Sequence, residues 1–96
     1  MITTTRPAAV AGSFYPADRR ALAAQVDGLL AAVPGDPAVS PLPKMLLVPH
    51  AGYVYSGPVA AHAYARLSPG RGRVRRVVLL GPTHRVAVRG IAVPTV

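Results

Sequence analysis

The chain of 96 residues contains no cysteine and no tryptophan, and its three acidic residues are all aspartates. Without cysteine, these residues can form neither a disulfide framework nor a thiolate metal ligand. The composition is compatible with a reducing compartment, and we expect a cytoplasmic protein. At 51% hydrophobic residues the chain is too apolar for a disordered polar segment, and its length has room for one small domain.

Long hydrophobic runs are also missing. The two strand-like apolar runs, 45–48 and 77–80, have four residues each, against about 20 apolar residues for a helix that crosses a membrane. Near the N-terminus, Pro7 and Gly12 interrupt the stretch that the apolar region of a signal peptide would need. The sequence therefore predicts neither a membrane span nor a secretory leader.

Negative charge is scarce, since 11 Lys and Arg residues face three Asp residues and give a net charge of +8. Such a balance favours contact with polyanions, because each neutralised phosphate releases counterions. All but one of the basic residues are arginine, in a chain rich in Ala, Pro, Val and Gly, and no nucleic-acid recognition motif accompanies them. We therefore rank nucleic-acid binding below the functions considered next.

The first half of the chain predicts an arm, a helix and a connector. Residues 1–17 carry scattered Thr, Pro and Gly and predict an irregular arm. Apolar residues at helical spacing predict a helix over 18–33, with Asp18 as its cap and Pro34 and Gly35 as its end. Four prolines make 34–43 a stiff connector.

The second half predicts strands around a helix. Residues 44–48 and 76–80 are apolar runs without alternation, typical of strands buried on both faces. Between them a helix is predicted over 57–67, and a further strand over 90–93. A strand–helix–strand order implies a parallel pair joined by a right-handed crossover. The predicted fold is a single α/β domain with a parallel or mixed sheet and flanking helices.

Two histidines follow the two strands. His50 comes two residues after the first strand and His84 four residues after the second, 34 positions later. Because the carboxyl ends of parallel strands share one sheet edge, we expect the two imidazoles to converge there. Two stiffened turns that each present a histidine predict a metal or acid–base site, in which His50 and His84 are also the best catalytic candidates.

Other polar and aromatic residues surround these turns. The loop 49–56 is longer than a strand-to-helix connection requires, and we expect it to carry Tyr53 and Tyr55, with Ser56 capping the next helix. His62 lies inside that helix and is expected to be structural or exposed. Phe14 and Tyr15 are either core residues or walls of the site. The predicted pocket lining is Phe14, Tyr15, Tyr53 and Thr83.

Two histidines do not complete a metal site. Non-haem iron sites use two His and a carboxylate, and zinc sites use three or four ligands. Of the chain's three carboxylates, Asp18, Asp27 and Asp36, none follows a predicted strand. No nucleophile elbow and no glycine-rich phosphate loop is present. At least one ligand is therefore expected from outside this sequence.

Four motifs follow one another along the chain: Arg6–Pro16 (RPAAVAGSFYP), Pro49–Gly57 (PHAGYVYSG), Ala60–Tyr64 (AAHAY) and Leu80–His84 (LGPTH). In their order and spacing they resemble the Memo family, called AmmeMemoRadiSam system protein B in bacteria and archaea. The resemblance covers nearly the whole chain, but only about the N-terminal third of a family member. We therefore expect an N-terminal fragment or a truncated product.

The resemblance implies an α/β sandwich like that of the class III extradiol dioxygenases. It implies that His50 and His84 bind a non-haem iron or copper ion, with a cysteine from late in the chain as a further ligand, and that Phe14 borders the pocket. It implies redox or dioxygen chemistry, and partnership with a radical S-adenosylmethionine protein and a third component. We expect the fragment alone to be inactive and prone to association.

Three alternatives to a redox enzyme stay open at this point. The first is hydrolysis by a metal-bound water. The second is a non-enzymatic adaptor that uses the same pocket to hold a peptide or partner. The third is the basic nucleic-acid binder.

Overall fold

A computed structural model describes residues 5–36, 39 and 41–94. It contains helix α1 (Arg19–Ala31), helix α2 (Tyr53–Tyr64) and a 3₁₀ helix (Ala65–Gly70) that continues from α2. Within the described residues the segments 44–48, 76–80 and 90–93 form no β-ladder, and an isolated bridge joins Ala11 and Tyr15. The sheet of the predicted α/β fold therefore stays a prediction.

Helix α1 forms where local signals place it. The Asp18 side chain accepts a hydrogen bond from the backbone N–H of Ala21 at 2.9 Å, which satisfies one of the free N–H groups of the first turn. The helix ends at Ala31, within the predicted range of 18–33. Pro34 cannot continue it, and Gly35 adopts a φ of 83°, which glycine accommodates without strain.

Helix α2 begins at Tyr53, four residues before its predicted start. The N–H of Tyr53 donates to the carbonyl of Phe14 at 2.9 Å, so the arm satisfies a group that a side-chain cap would otherwise serve. The loop after the first apolar segment is therefore shorter than predicted, and Tyr53 and Tyr55 belong to the helix.

Ser56 does not cap the helix, in contrast to the prediction, but lies within its first turn. Its hydroxyl donates to the carbonyl of Ala51 at 2.6 Å and also contacts that of Gly52 at 3.2 Å. This hydroxyl therefore ties the start of α2 to the residues directly after His50.

The two helices pack through small residues. A Cβ on Gly57 would lie 2.9 Å from Cδ1 of Leu29, so the absence of a side chain there allows α1 and α2 to approach closely. Among the described residues the buried hydrophobic side chains are Ala60, Ala61 and Ala65. Many large apolar residues remain exposed, including Met45, Leu47 and the four from Val77 to Leu80.

None of the helices in the described part of the chain has the length and hydropathy that a span of the bilayer requires.

Candidate functional site

His50 and His84 meet in the structure. Their Nε2 atoms lie 3.2 Å apart, and their rings pack edge to face with centroids 5.2 Å apart and planes at 64°. Both side chains are exposed. The structure thus brings together the two imidazoles that the sequence separates by 34 positions.

The position of His50 is set from the helix that follows it. Pro49 restricts the backbone before His50, and Ser56 holds the carbonyls of Ala51 and Gly52 from the first turn of α2. Gly52 also packs against the backbone of Phe14 in the arm. A Cβ at position 52 would lie 3.4 Å from the carbonyl oxygen of Phe14. His50 is therefore anchored through α2 and the arm together.

His84 lies in a part of the chain with fewer contacts than the turn that carries His50. It follows the apolar segment 77–80 and the turn at Gly81 and Pro82. No described residue from 75 to 94 makes a backbone–backbone hydrogen bond. The contact of His84 with His50, at hydrogen-bond distance, links residues 75–94 to the beginning of α2.

The spacing of the two Nε2 atoms fits two arrangements. In a direct hydrogen bond, one ring carries its proton on Nε2 and the other accepts it. In a metal site, two ligands at about 2.0–2.1 Å from one ion, at angles of about 90–110°, lie about 2.8–3.4 Å apart. The observed 3.2 Å falls inside this interval. Within the described residues no third His, Asp, Glu or Cys joins the pair.

A cavity of about 1400 Å³ opens beside the two rings. Of the predicted lining residues, Tyr53 and Thr83 border it, whereas Phe14 and Tyr15 do not. The Phe14 backbone contacts the start of α2, and the Tyr15 ring packs on Tyr53 with centroids 5.4 Å apart. The arm thus contacts Tyr53, a residue of the cavity wall, without lining the cavity through Phe14 or Tyr15.

The third histidine lies elsewhere. His62 is exposed on α2 and borders a separate, smaller cavity of about 370 Å³ between α1 and α2. It takes no part in the His50–His84 contact. Tyr55 is also exposed and lies outside the lining of the large cavity.

Sequence reasoning missed several residues of the cavity wall. Among the described residues that line the cavity, Arg6 alone carries a fixed charge, and the sequence places it at the start of the first motif. Tyr64 and the small residues of α2 also line the cavity, and the sequence indicated them only as one apolar face of a helix. Further lining comes from the apolar segments through Leu47, Val48, Leu79 and Leu80.

Comparisons with known proteins agree on one family. The family model for Memo-like proteins matches residues 6–96, a range that contains both His50 and His84. The chain is 42% identical over 91 residues to Protein MEMO1 of Xenopus tropicalis, covering 95% of this chain and 29% of that protein. It is 45% identical over 86 residues to a MEMO1 family protein of Ignicoccus hospitalis, covering 82% of this chain and 30% of the relative. No solved structure matches it.

Proposed function

Because this chain belongs to the Memo-like protein family, we propose that it contributes His50 and His84 as two ligands of a non-haem metal centre. The chain spans about 30% of the length of the curated relatives it matches. The remaining ligand, and the activity of a complete centre, are part of this proposal.

The Nε2–Nε2 distance of 3.2 Å carries the proposal. It corresponds to the separation of two imidazoles that share one ion, and both rings are accessible. A purely structural hydrogen bond between two exposed histidines would compete with water at each ring and would contribute about 1 kcal/mol or less. A bond of this strength contributes little to the free energy of bringing together residues 34 positions apart.

The family resemblance points to iron or copper, and the donor set suits both. Imidazole suits both metals, and a thiolate as third ligand, as the family resemblance implies, would favour them over magnesium. When bound, either metal would supply redox or dioxygen chemistry. The chain's own contribution is to aim two neutral imidazoles at one point and to place apolar side chains, such as Leu79 and Leu80, along the adjoining cavity.

Metal uptake by matched histidine variants tests the proposal. Equilibrium dialysis of the chain against Fe²⁺ or Cu⁺ under anaerobic conditions, with bound metal measured by mass spectrometry, compares H50A, H84A and H62A. We expect H50A and H84A each to weaken binding at least tenfold, whereas H62A, which removes a histidine that borders the separate, smaller cavity, leaves it unchanged. Equal binding by all three variants and the parent chain would overturn the proposal.

A further inference from the structure

The positive charge of the chain is concentrated on one short segment. Residues 71–76, which we call the arginine segment, contain four of the chain's 11 basic residues and no acidic residue. The segment follows directly on the 3₁₀ helix and precedes the apolar run 77–80. None of its residues borders the large cavity beside the two histidines. Its four arginines are all exposed, and they are Arg71, Arg73, Arg75 and Arg76.

The charges of the arginine segment are not neutralised within the described part of the chain. None of its four guanidinium groups has a hydrogen-bond or ion-pair partner there. The three carboxylates lie elsewhere in the sequence, since Asp18 caps α1, Asp27 lies within α1 and Asp36 belongs to the connector. Four like charges within six residues repel one another, and an anionic partner relieves this repulsion.

The first half of the arginine segment has a fixed backbone. The N–H groups of Arg73 and Val74 both donate to the carbonyl of Gly70, at 2.9 and 3.1 Å. Gly70 is buried, and a Cβ there would lie 2.8 Å from Cδ1 of Leu42 and 2.9 Å from Cγ2 of Val74. The turn therefore presents Arg71 and Arg73 from a closely packed base. Such an arrangement reduces the conformational entropy that the segment loses on binding a partner.

The composition of the arginine segment distinguishes between classes of anionic partner. Interfaces with folded proteins place apolar and aromatic residues at their centre, whereas the one large apolar side chain of this segment, Val74, packs against Gly70. Peripheral membrane binding commonly uses an amphipathic helix, and residues 71–76 form no helix. A nucleic-acid backbone requires only cations spaced along it, and the guanidinium fork matches phosphate oxygens.

We propose that the arginine segment binds the phosphodiester backbone of double-stranded nucleic acid without reading its sequence. Residues 71–76 offer no aromatic ring on which an unpaired base could stack. They also form no helix or β-ribbon that would enter the major groove. The contacts are therefore to phosphates, which position a protein on a duplex but carry no sequence information. Composition alone ranks this function low, because it does not show that these charges are exposed and unpaired.

Counterion release sets the salt dependence of this binding. If each arginine of the segment neutralises one phosphate, the logarithm of the association constant falls with the logarithm of the salt concentration at a slope of about −3.6. Removing two of the four arginines should reduce the slope to about −1.8. The slope thus reports the number of arginines that contact phosphate.

Two matched double variants test the proposal. Fluorescence anisotropy measures binding of the 96-residue chain to a short labelled DNA duplex over a series of salt concentrations. R75Q/R76Q removes two neighbouring charges from the arginine segment, and R19Q/R20Q removes two neighbouring exposed charges from the start of α1. We expect R75Q/R76Q to weaken binding at least tenfold and to halve the slope, whereas R19Q/R20Q weakens it less than threefold and keeps the slope. Equal weakening would show that net charge alone attracts DNA and would overturn the proposal.

A charge-conserving variant and a competitor complete the test. R75K/R76K keeps both charges and should retain most of the salt slope, so a loss of binding as complete as that of R75Q/R76Q would contradict the proposal. Polyglutamate, at an equal concentration of charges, should displace the labelled duplex far less effectively than unlabelled DNA does. Equally effective displacement would identify an acidic polypeptide as the partner. A second duplex of unrelated sequence should bind with the same affinity, and a strong preference for either duplex would overturn binding through phosphates alone.

Discussion

His50 and His84, with their Nε2 atoms 3.2 Å apart, form a contact between the start of α2 and residues 75–94, two parts of the chain that no other hydrogen bond joins among the described residues. His50 is held by the first turn of α2, while His84 follows the uncovered segment 77–80. A metal ion bound by both rings would therefore tie an anchored part of the chain to an open one.

The cap of α1 provides a local test of helix stability. D18A removes the side-chain acceptor of the Ala21 N–H and is expected to lower the free energy of unfolding of the helix pair by about 1 kcal/mol. D18N keeps an acceptor at the same place and should restore most of this loss. D27A removes the same charge from the interior of α1 and serves as the control. Urea titration followed by circular dichroism measures the three variants, and equal midpoints for D18A and D27A would contradict the prediction.

Gly28 offers a stabilising change in the same helix. It lies within α1, and a Cβ built there meets nothing within 4 Å. Replacing an exposed helical glycine with alanine reduces the entropy of the unfolded chain, so G28A is expected to raise the free energy of unfolding by about 0.5–1 kcal/mol. G35A is the opposite case, because Gly35 has a φ of 83° that alanine adopts only with strain. A lower thermal midpoint for G28A than for the parent chain would contradict this account.

Close packing of α1 on α2 depends on Gly57. A Cβ there would lie 2.9 Å from Cδ1 of Leu29, and the larger side chain of G57L has no room unless the helices separate. We expect G57L to lower the free energy of unfolding by about 1–3 kcal/mol. The double variant G57L/L29A should recover part of this loss, because L29A removes the side chain with which the new leucine clashes. Denaturation midpoints that are additive in the double variant would show that the two positions do not interact.

The sequence predicted the features that depend on neighbouring residues. Asp18 and Pro34 bound α1 through a cap and a missing N–H, both of which are local effects. The start of α2 was predicted at residue 57 because Pro58 favours a first turn, but the carbonyl of Phe14, almost 40 positions earlier, sets the start at Tyr53. A tertiary hydrogen bond of this kind leaves no signal in the local sequence.

The site was predicted more fully than its surroundings. The positions of His50 and His84 after two predicted parallel strands indicated that the imidazoles would meet, and they do, although the described residues of those segments form no β-ladder. Phe14 was placed at the border of the pocket by the family resemblance, and Tyr15 was left as either a core residue or a wall of the site; in the structure the arm contacts α2 through the Phe14 carbonyl and the Tyr15 ring. The apolar runs predicted buried strands. Burial requires residues that cover them, and the described part of the chain leaves six of the eight side chains in 45–48 and 77–80 exposed, so these strands stay a prediction.

The buried hydroxyl of Ser56 links helix stability to the geometry of the proposed metal site. It donates to the carbonyl of Ala51 and also contacts that of Gly52, directly after His50. We therefore expect S56A to lower the free energy of unfolding by about 0.5–1.5 kcal/mol and to loosen the turn that positions His50. If His50 and His84 share an ion, metal affinity should fall several-fold in S56A even at temperatures where the helices remain folded. S68A is the matched control, since the Ser68 hydroxyl donates to the Ala65 carbonyl at 2.7 Å in the 3₁₀ helix. It should lower stability without changing metal affinity, when both are measured by circular dichroism and equilibrium dialysis. Equal metal affinity in S56A and S68A would show that the hydroxyl of Ser56 stabilises the helix alone and does not position His50.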